Sequence, residues 1–374
     1  MTNKERAEAR YQRRKQKREQ NKKNFIKQIP AFEEVFTFEN LWNSFWLCRR
    51  EVSWKPSIQI FQHNLNIEII KIMRDLYSKE GFKTHGFIKF WICERGKMRF
   101  IQSVDIRERV VQRCFCDYYL IPLLTHSLIY DNGASLKNKG VSFSLERLKL
   151  HLEKFYKKYG DNNGYILLYD FSNYFANIDH TKLYNIVDAL IIDNKCKKLY
   201  HHLIDAFGDV GLGLGSQVSQ ISAVAFPNRF DHVLNNLSYI ENSARYMDDG
   251  YGIFRTKKDA LKAKDIIYQE AEKFNIKLNA KKIKIVKINQ SFIYLKKRYF
   301  LNNNGIVIIR LNRNNIYKHW RRIKKLLDLE GKNKIIKEDI ILSHKSWYGQ
   351  VIKKYHNKKS IYNIDKKIRR LLNE

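Results

Sequence analysis

The chain is short of acidic side chains. Its 374 residues carry 38 Asp and Glu against 71 Lys and Arg, a formal charge of +33. An excess of this size destabilises a compact state by self-repulsion and points to a polyanionic partner, nucleic acid first and an anionic membrane second. Long apolar runs are missing too: no stretch reaches the roughly 18 uninterrupted apolar residues that a spanning helix needs, so a membrane protein is not expected. The charged N-terminus is followed by no apolar segment, which argues against a secretory signal. The five cysteines, Cys48, Cys93, Cys114, Cys116 and Cys196, form no CxxC pair. That argues against a disulfide framework and a zinc ribbon, and suits a reducing cytoplasm. No internal repeat and no long Pro/Ser linker divides the chain, so its parts are expected to pack as one body. What is present is ample core material: 44% hydrophobic and 13% aromatic residues exclude disorder of the whole chain.

Residues 1–24 are nearly devoid of apolar side chains and dense in Lys and Arg. They read as a frayed helix or basic arm, either contacting phosphates or simply solvated. Helical spacing follows over Phe36–Trp46 and Ile58–Tyr77. Alternation over 86–106 about Arg95-Gly96-Lys97 predicts a β-hairpin. Helices are expected over 107–127, 142–159, 180–207, 217–234 and 257–274, and a glycine-rich turn over 208–215. Tyr165–Tyr169 reads as a buried strand ending at Asp170, and residues 244–254 as two strands around a tight turn. Strands continue to about residue 310, and basic helices occupy 313–374.

Two strand contexts place three carboxylates, Asp170 at the end of one strand and Asp248 and Asp249 at a hairpin tip. Adjacent carboxylates repel, and burying them unpaired is costly. A divalent cation resolves both problems, and a few hard oxygen ligands suit Mg²⁺. Two such ions ~3.5–4 Å apart can activate a hydroxyl and stabilise a pyrophosphate leaving group.

Tyr246-Met-Asp-Asp249 resembles the YxDD motif of reverse transcriptases. Asp170-Phe-Ser-Asn-Tyr-Phe-Ala-Asn-Ile-Asp-His180 resembles their motif A, in the right order and separation, and the likeness covers roughly residues 86–300. The resemblance implies an α+β right-hand polymerase fold of fingers, palm and thumb, with an antiparallel palm sheet and a helical thumb. The implied division is a basic arm at 1–24, fingers and palm at 25–300 and a thumb at 301–374. It implies a catalytic set of Asp170, Asp248, Asp249 and Lys282, with Lys282 in the motif-D-like Leu278-Asn-Ala-Lys-Lys282. The implied metal set is Asp170, Phe171, Asp248 and Asp249, holding two Mg²⁺ ions, with Mn²⁺ as the alternative. Nucleotide contacts fall on Lys97, Arg99, Phe175, Leu214 and Gly215, with Phe175 as the aromatic gate against a ribose 2′-hydroxyl. Leu214 stands where many members have Gln, and loss of that amide is expected to lower fidelity. Template and primer contacts fall on Arg107, Gln220, Tyr246, Tyr294, Leu295 and Lys296, and Arg109 and Gln112 belong to the same fingers motif. Lys296 stands where the family's primer grip has Gly, which bears on the geometry of that turn.

Residues 301–374 hold too few acids for an RNase H site, and no His/Cys cluster suggests an HNH endonuclease. The expectation is therefore a stand-alone bacterial enzyme that makes cDNA from dNTPs on an RNA template. It resembles defence-associated or abortive-infection enzymes that use a cognate non-coding RNA. An error-prone diversity-generating retroelement enzyme is the alternative, and oligomerisation or an accessory protein stays open. Phe175 and the YMDD sequence speak against an RNA-dependent RNA polymerase. A non-catalytic RNA-binding protein with a polymerase-like palm is the reading of a different class.

Overall fold

The structure, a computed structural model, describes residues 3–94, 97–332, 334–352 and 355–372. The chain begins with helix α1 (Asn3–Ile26), followed by α2 (Phe32–Val35), α3 (Phe38–Arg49), α4 (Pro56–His63) and α5 (Leu65–Leu76). Strands β1 (Ile88–Glu94) and β2 (Lys97–Ser103) precede α6 (Ile106–Phe115), a π turn (Cys116–Leu120) and α7 (Ile121–Thr125). Next come α8 (Val141–Tyr159), β3 (Tyr165–Asp170), α9 (His180–Val187), α10 (Asn194–Asp205), α11 (Gln217–Ala225) and α12 (Asn228–Asn235). Strands β4 (Ile240–Tyr246) and β5 (Asp249–Phe254), helix α13 (Lys257–Lys273) and strands β6 (Lys284–Lys287), β7 (Phe292–Tyr294), β8 (Lys297–Leu301) and β9 (Val307–Leu311) follow. Three helices, α14 (Arg313–Glu330), α15 (Lys337–Ile352) and α16 (Lys358–Leu372), close the chain.

Packing divides these elements into two units that interleave in sequence. One comprises Met1–Tyr130, Phe171–His232 and Gln269–Lys277. It holds the β1–β2 hairpin and a helical core in which Phe36 meets Phe115 and Phe45 stacks on Phe61. The other comprises Asp131–Asp170, Val233–Tyr268 and Leu278–Glu374, and is built on an antiparallel sheet of order β4-β5-β3-β6. Helix α8 lays Leu148, Leu152 and Phe155 against Ile166, Tyr251 and Ile253 of that sheet, the one-face spacing of an amphipathic helix. It ends at Gly160, whose φ of +71° is the left-handed C-cap glycine favours. The C-terminal helices close on two small clusters, Leu311, Ile316, Val351 and Ile361, then Ile323, Ile340, Ile368 and Leu372.

Several expected helices are broken by local chemistry. The helix expected over 217–234 divides around Pro227, which lacks an N–H and whose carbonyl accepts from Asp231 N. The one expected over 180–207 stops after Val187, and Asp193 restarts it by capping the amides of Lys195 and Cys196. The apolar stretch 58–77 breaks at Asn64, and 107–127 passes through the π turn. Residues 1–24 are helical from Asn3, with no apolar stripe to pack. Among the described residues no helix is long and apolar enough to cross a membrane. All five cysteines are free thiols.

Candidate active site

Strand β3 is an interior strand of its sheet, flanked by β5 and β6, and this explains its near-continuous apolar run. It carries Asp170 to its end, where the residue is 3% exposed and lies directly opposite Asp249 of β5. Burial, and then the charges of Asp248 and Asp170, push the Asp249 carboxyl up to about 7 against the pull of Lys282. Lys282 Nζ donates to Asp170 Oδ2. Partial burial opposes the charge on Lys282, but the hydrogen bond to Asp170 and the three carboxylates raise its pKa overall. Asn279 completes the hold on Asp170: its Nδ2 donates to Oδ1 at 3.2 Å and its backbone N to the Asp170 carbonyl at 2.9 Å. Sequence reasoning placed Lys282 but not Asn279; the signal was the Asn of Leu278-Asn279, three residues before the lysine.

The β4–β5 tip turns through Met247, whose φ of +52° is left-handed. Arg245, fully buried, donates from Nη1 to the Met247 carbonyl at 2.9 Å and so holds the peptide before Asp248. Gly250 pairs with Tyr169, and a Cβ there would sit 2.1 Å from that tyrosine's ring, so only glycine fits after the two aspartates. Tyr246 pairs with Asp249 in register and is half-buried. Farther on, Leu295 and Lys296 form the two-residue turn between β7 and β8 with φ values of +44° and +67°. The primer-grip-like turn thus keeps a doubly left-handed backbone without its glycine. Tyr294 is buried edge-on against Tyr251, whose hydroxyl meets His151 Nδ1 at 2.9 Å.

The other unit holds a cavity of about 470 Å³ lined by Phe175, Leu214, Gly215 and Gln220 among the expected residues. Arg109, Gln112 and Arg113 of α6 line it too. Arg107 takes a different part. It pairs with Asp75 and lies over the Phe82 ring, whereas Arg109, which donates to Ser103 Oγ, and Arg113, which pairs with Asp117, line the cavity. The reason is helical phase: positions 109 and 113 are one turn apart on one face, and 107 is on another. Sequence reading missed Arg113, and the i, i+4 repeat from Arg109 could have flagged it. Gly215 has φ +121°, and a Cβ there would meet the Gln102 carbonyl at 2.9 Å. Arg99 sits on β2 opposite Ile92. Arg95, Gly96 and the side chain of Lys97 lie outside the described residues. Phe171 has its ring buried against Tyr174 and Phe230, so its backbone carbonyl is the only donor it could offer a cation.

The donor set around Asp170 fits divalent cations of the magnesium class. Among the described residues no three His, Cys, Asp or Glu side chains form a preformed cage. The arrangement is instead open, with Asp170 and Asp249 facing and Asp248 beside them, which suits an ion that keeps water and phosphate ligands. The Lys282 ammonium on Asp170 stands where positive charge is needed.

The family profile described as reverse transcriptase (RNA-dependent DNA polymerase) matches residues 85–298. No curated protein matches the sequence. Among solved structures, the chain is similar to the apo telomerase of Candida tropicalis truncated from its C-terminal domain. That match has 15% identity, 60% of this chain and 55% of that chain covered, and a TM-score of 0.46. It is similar to the Candida albicans telomerase in complex with a TWJ fragment of telomeric RNA at 12% identity, 68% and 50% coverage and a TM-score of 0.47. Another structure of apo telomerase from Candida tropicalis matches at 14% identity, 68% and 53% coverage and a TM-score of 0.47. The chain thus spans about half the length of these structures.

Proposed function

The chain belongs to the reverse transcriptase family, and from that premise we propose that it synthesises DNA on an RNA template by nucleotidyl transfer from dNTPs. The observation that carries the reading is the in-register pair of buried Asp170 and half-buried Asp249, with Asp170 gripped by Asn279 and Lys282, inside the matched region. In the reaction a primer 3′-hydroxyl oxygen bonds to the α-phosphorus, the bond to the β-phosphate breaks, and pyrophosphate leaves. Asp170, Asp248 and Asp249, with the Phe171 carbonyl, would hold two Mg²⁺ ions, or Mn²⁺ in their place. When bound, these supply Lewis-acid activation of the hydroxyl and charge neutralisation of the leaving group. Lys282 supplies a proton to the departing pyrophosphate. Phe175 presses on the sugar C2′ and excludes ribose. Arg109 and Arg113 join Lys97 and Arg99 as cations for phosphate. Tyr246, Gln220 and the turn at Tyr294, Leu295 and Lys296 serve template and primer. Leu214 lowers fidelity, which a Leu214→Gln fidelity assay checks.

We further place the enzyme in the reducing cytoplasm of a bacterium, in antiviral defence with a cognate non-coding RNA. The Leu212-Gly-Leu-Gly-Ser-Gln217 segment, without the usual Gln, supports this reading. The same segment favours the second reading, an error-prone enzyme of a diversity-generating retroelement. Sequencing the nucleic acid that copurifies with the protein separates them: one structured RNA supports defence, and copies of a variable repeat support diversification. Purified protein with RNA, primer, dNTPs and Mg²⁺ tests the chemistry itself. Incorporation that Asp248→Asn abolishes while RNA binding persists supports the enzyme. RNA binding with no incorporation by the wild type supports a non-catalytic RNA-binding protein.

A further inference from the structure

The start of α11 is held by a side chain from another helix. Gln112, 1% exposed, places its Oε1 3.0 Å from Ser216 Oγ and 3.1 Å from the Gln217 backbone N. Ser216 is itself the N-cap of α11, its hydroxyl accepting from Ser219 N at 3.2 Å. That hydroxyl therefore accepts within its own helix and donates to Gln112. A backbone N–H can only donate, so the atom of Gln112 that faces Gln217 is the oxygen. The amide nitrogen must then point the other way, where Glu108 Oε1 accepts it at 2.9 Å. Glu108 is 3% exposed and one turn before Gln112 on α6. Every polar contact in this chain has one possible direction.

What the clamp holds is one wall of the cavity. Leu214 and Gly215 directly precede Ser216, and the Leu214 carbonyl accepts from Gln102 N at 3.0 Å. Farther back, Leu212 N donates to the Phe175 carbonyl at 2.7 Å. The loop 212–217 is therefore pinned at Phe175, at β2 and at Gln112, with Gln112 as its only side-chain anchor from α6 among the contacts of Ser216 and the Gln217 backbone.

We propose that Gln112 is a positioning residue for the nucleotide cavity: it holds Leu214–Gln217 against α6 so that Phe175 keeps the place from which it reads the sugar, and Glu108 sets the direction of its amide. The proposal rests on the polymerase reading for its effect on nucleotides, but the clamp is measurable without it.

The test is a two-residue exchange. In Gln112→Glu two buried carboxylates face each other, and the clamp opens. In Glu108→Gln/Gln112→Glu the donor and acceptor change places, and every contact can be remade: Gln at 108 donates to Glu at 112, which still accepts from Ser216 and Gln217. Hydrogen exchange of amides 214–218 reads the clamp directly when run at alkaline pH, where Glu108, whose carboxyl burial pushes up to about 7, is ionised and cannot donate to Glu at 112. The expected result is faster exchange in Gln112→Glu and wild-type rates in the double variant and in Glu108→Gln, which keeps an acceptor carbonyl. With an RNA template and primer at alkaline pH, Gln112→Glu raises the dNTP KM roughly tenfold, as for one lost buried hydrogen bond. It also lowers the preference for dNTP over rNTP, and the double variant restores both. Unchanged exchange in Gln112→Glu, or a double variant as impaired as the single one, overturns the clamp. A wild-type protein that makes no DNA overturns the polymerase reading and leaves the exchange result to decide the clamp.

Discussion

Asp170 and Asp249 face each other as a register pair across β3 and β5. They come from chain segments far apart, and the pairing puts Asp249 in the field of Asp170. Replacing Asp249 by Asn removes one of the facing charges while keeping the shape. The expected outcome is a higher melting temperature in a chelator and a loss of polymerisation on the order of 10²–10³-fold. Wild-type protein should melt higher when Mg²⁺ is added, and the variant should gain less. Scanning calorimetry with and without Mg²⁺, beside a primer-extension assay, checks all three.

Phe175 lines the cavity with Leu214 and Gly215. Phe175→Ala should leave dNTP use largely intact and raise rNTP incorporation roughly 10- to 100-fold, the scale of losing steric exclusion in an apolar pocket. Competition between dNTP and rNTP on one primer measures it. An unchanged ratio would show that the ring packs in the wall without meeting the sugar.

In the C-terminal helices His319 Nε2 lies 3.1 Å from His344 Nδ1, and His344 Nε2 lies 2.9 Å from Asp365 Oδ1. Asp365 Oδ1 accepts from His344 Nε2. His319 also stacks on Trp347 at 3.9 Å. Burial first, then His344 and Arg322, push the His319 pKa down to about 4. A depressed histidine binds its proton later in the folded state than in the unfolded one. Its contribution is therefore intact above about pH 6.5 and is lost as pH falls toward 4, by about 2–3 kcal/mol. Urea titrations across that window should show stability falling with acid, with the slope reduced in His319→Gln.

The turn at Leu295 and Lys296 holds two bulky residues in left-handed backbone. Lys296→Gly should stabilise the protein by about 1 kcal/mol, because a Cβ at positive φ is strained. Denaturant midpoints of the two proteins test this. A lower midpoint would mean that the lysine's own contacts outweigh the strain.

Helix α1 carries ten Lys and Arg against three Glu over Asn3–Ile26, and Phe25 at its end stacks on His126 at 3.7 Å. A charged helix with no apolar face suits a phosphate backbone. Removing residues 1–24 should weaken RNA binding and flatten its salt dependence, because fewer counterions are released. Filter binding across a salt series measures both. An unchanged slope would make the arm a solvated tail.

The sequence by itself determined the charge, the order of the motifs, the strand ending at Asp170 and the hairpin tip carrying Asp248 and Asp249. These are legible because apolar alternation and turn residues act over a few neighbours, and a strand end exposes whatever carboxylate stands there. Breaks such as Pro227 and Asn64 were local as well, but they were submerged in longer apolar patterns. Only the tertiary structure decided which side chains meet. Asn279 and Lys282 reach Asp170 across 109 and 112 positions of sequence. Gln112 reaches Ser216 across 104. Arg107 was drawn to Asp75 while Arg109 and Arg113 opened on the cavity. The physical reason is that hydrogen bonds and ion pairs act within a few ångströms, so a side chain's partner depends on which distant segment the packed core brings beside it.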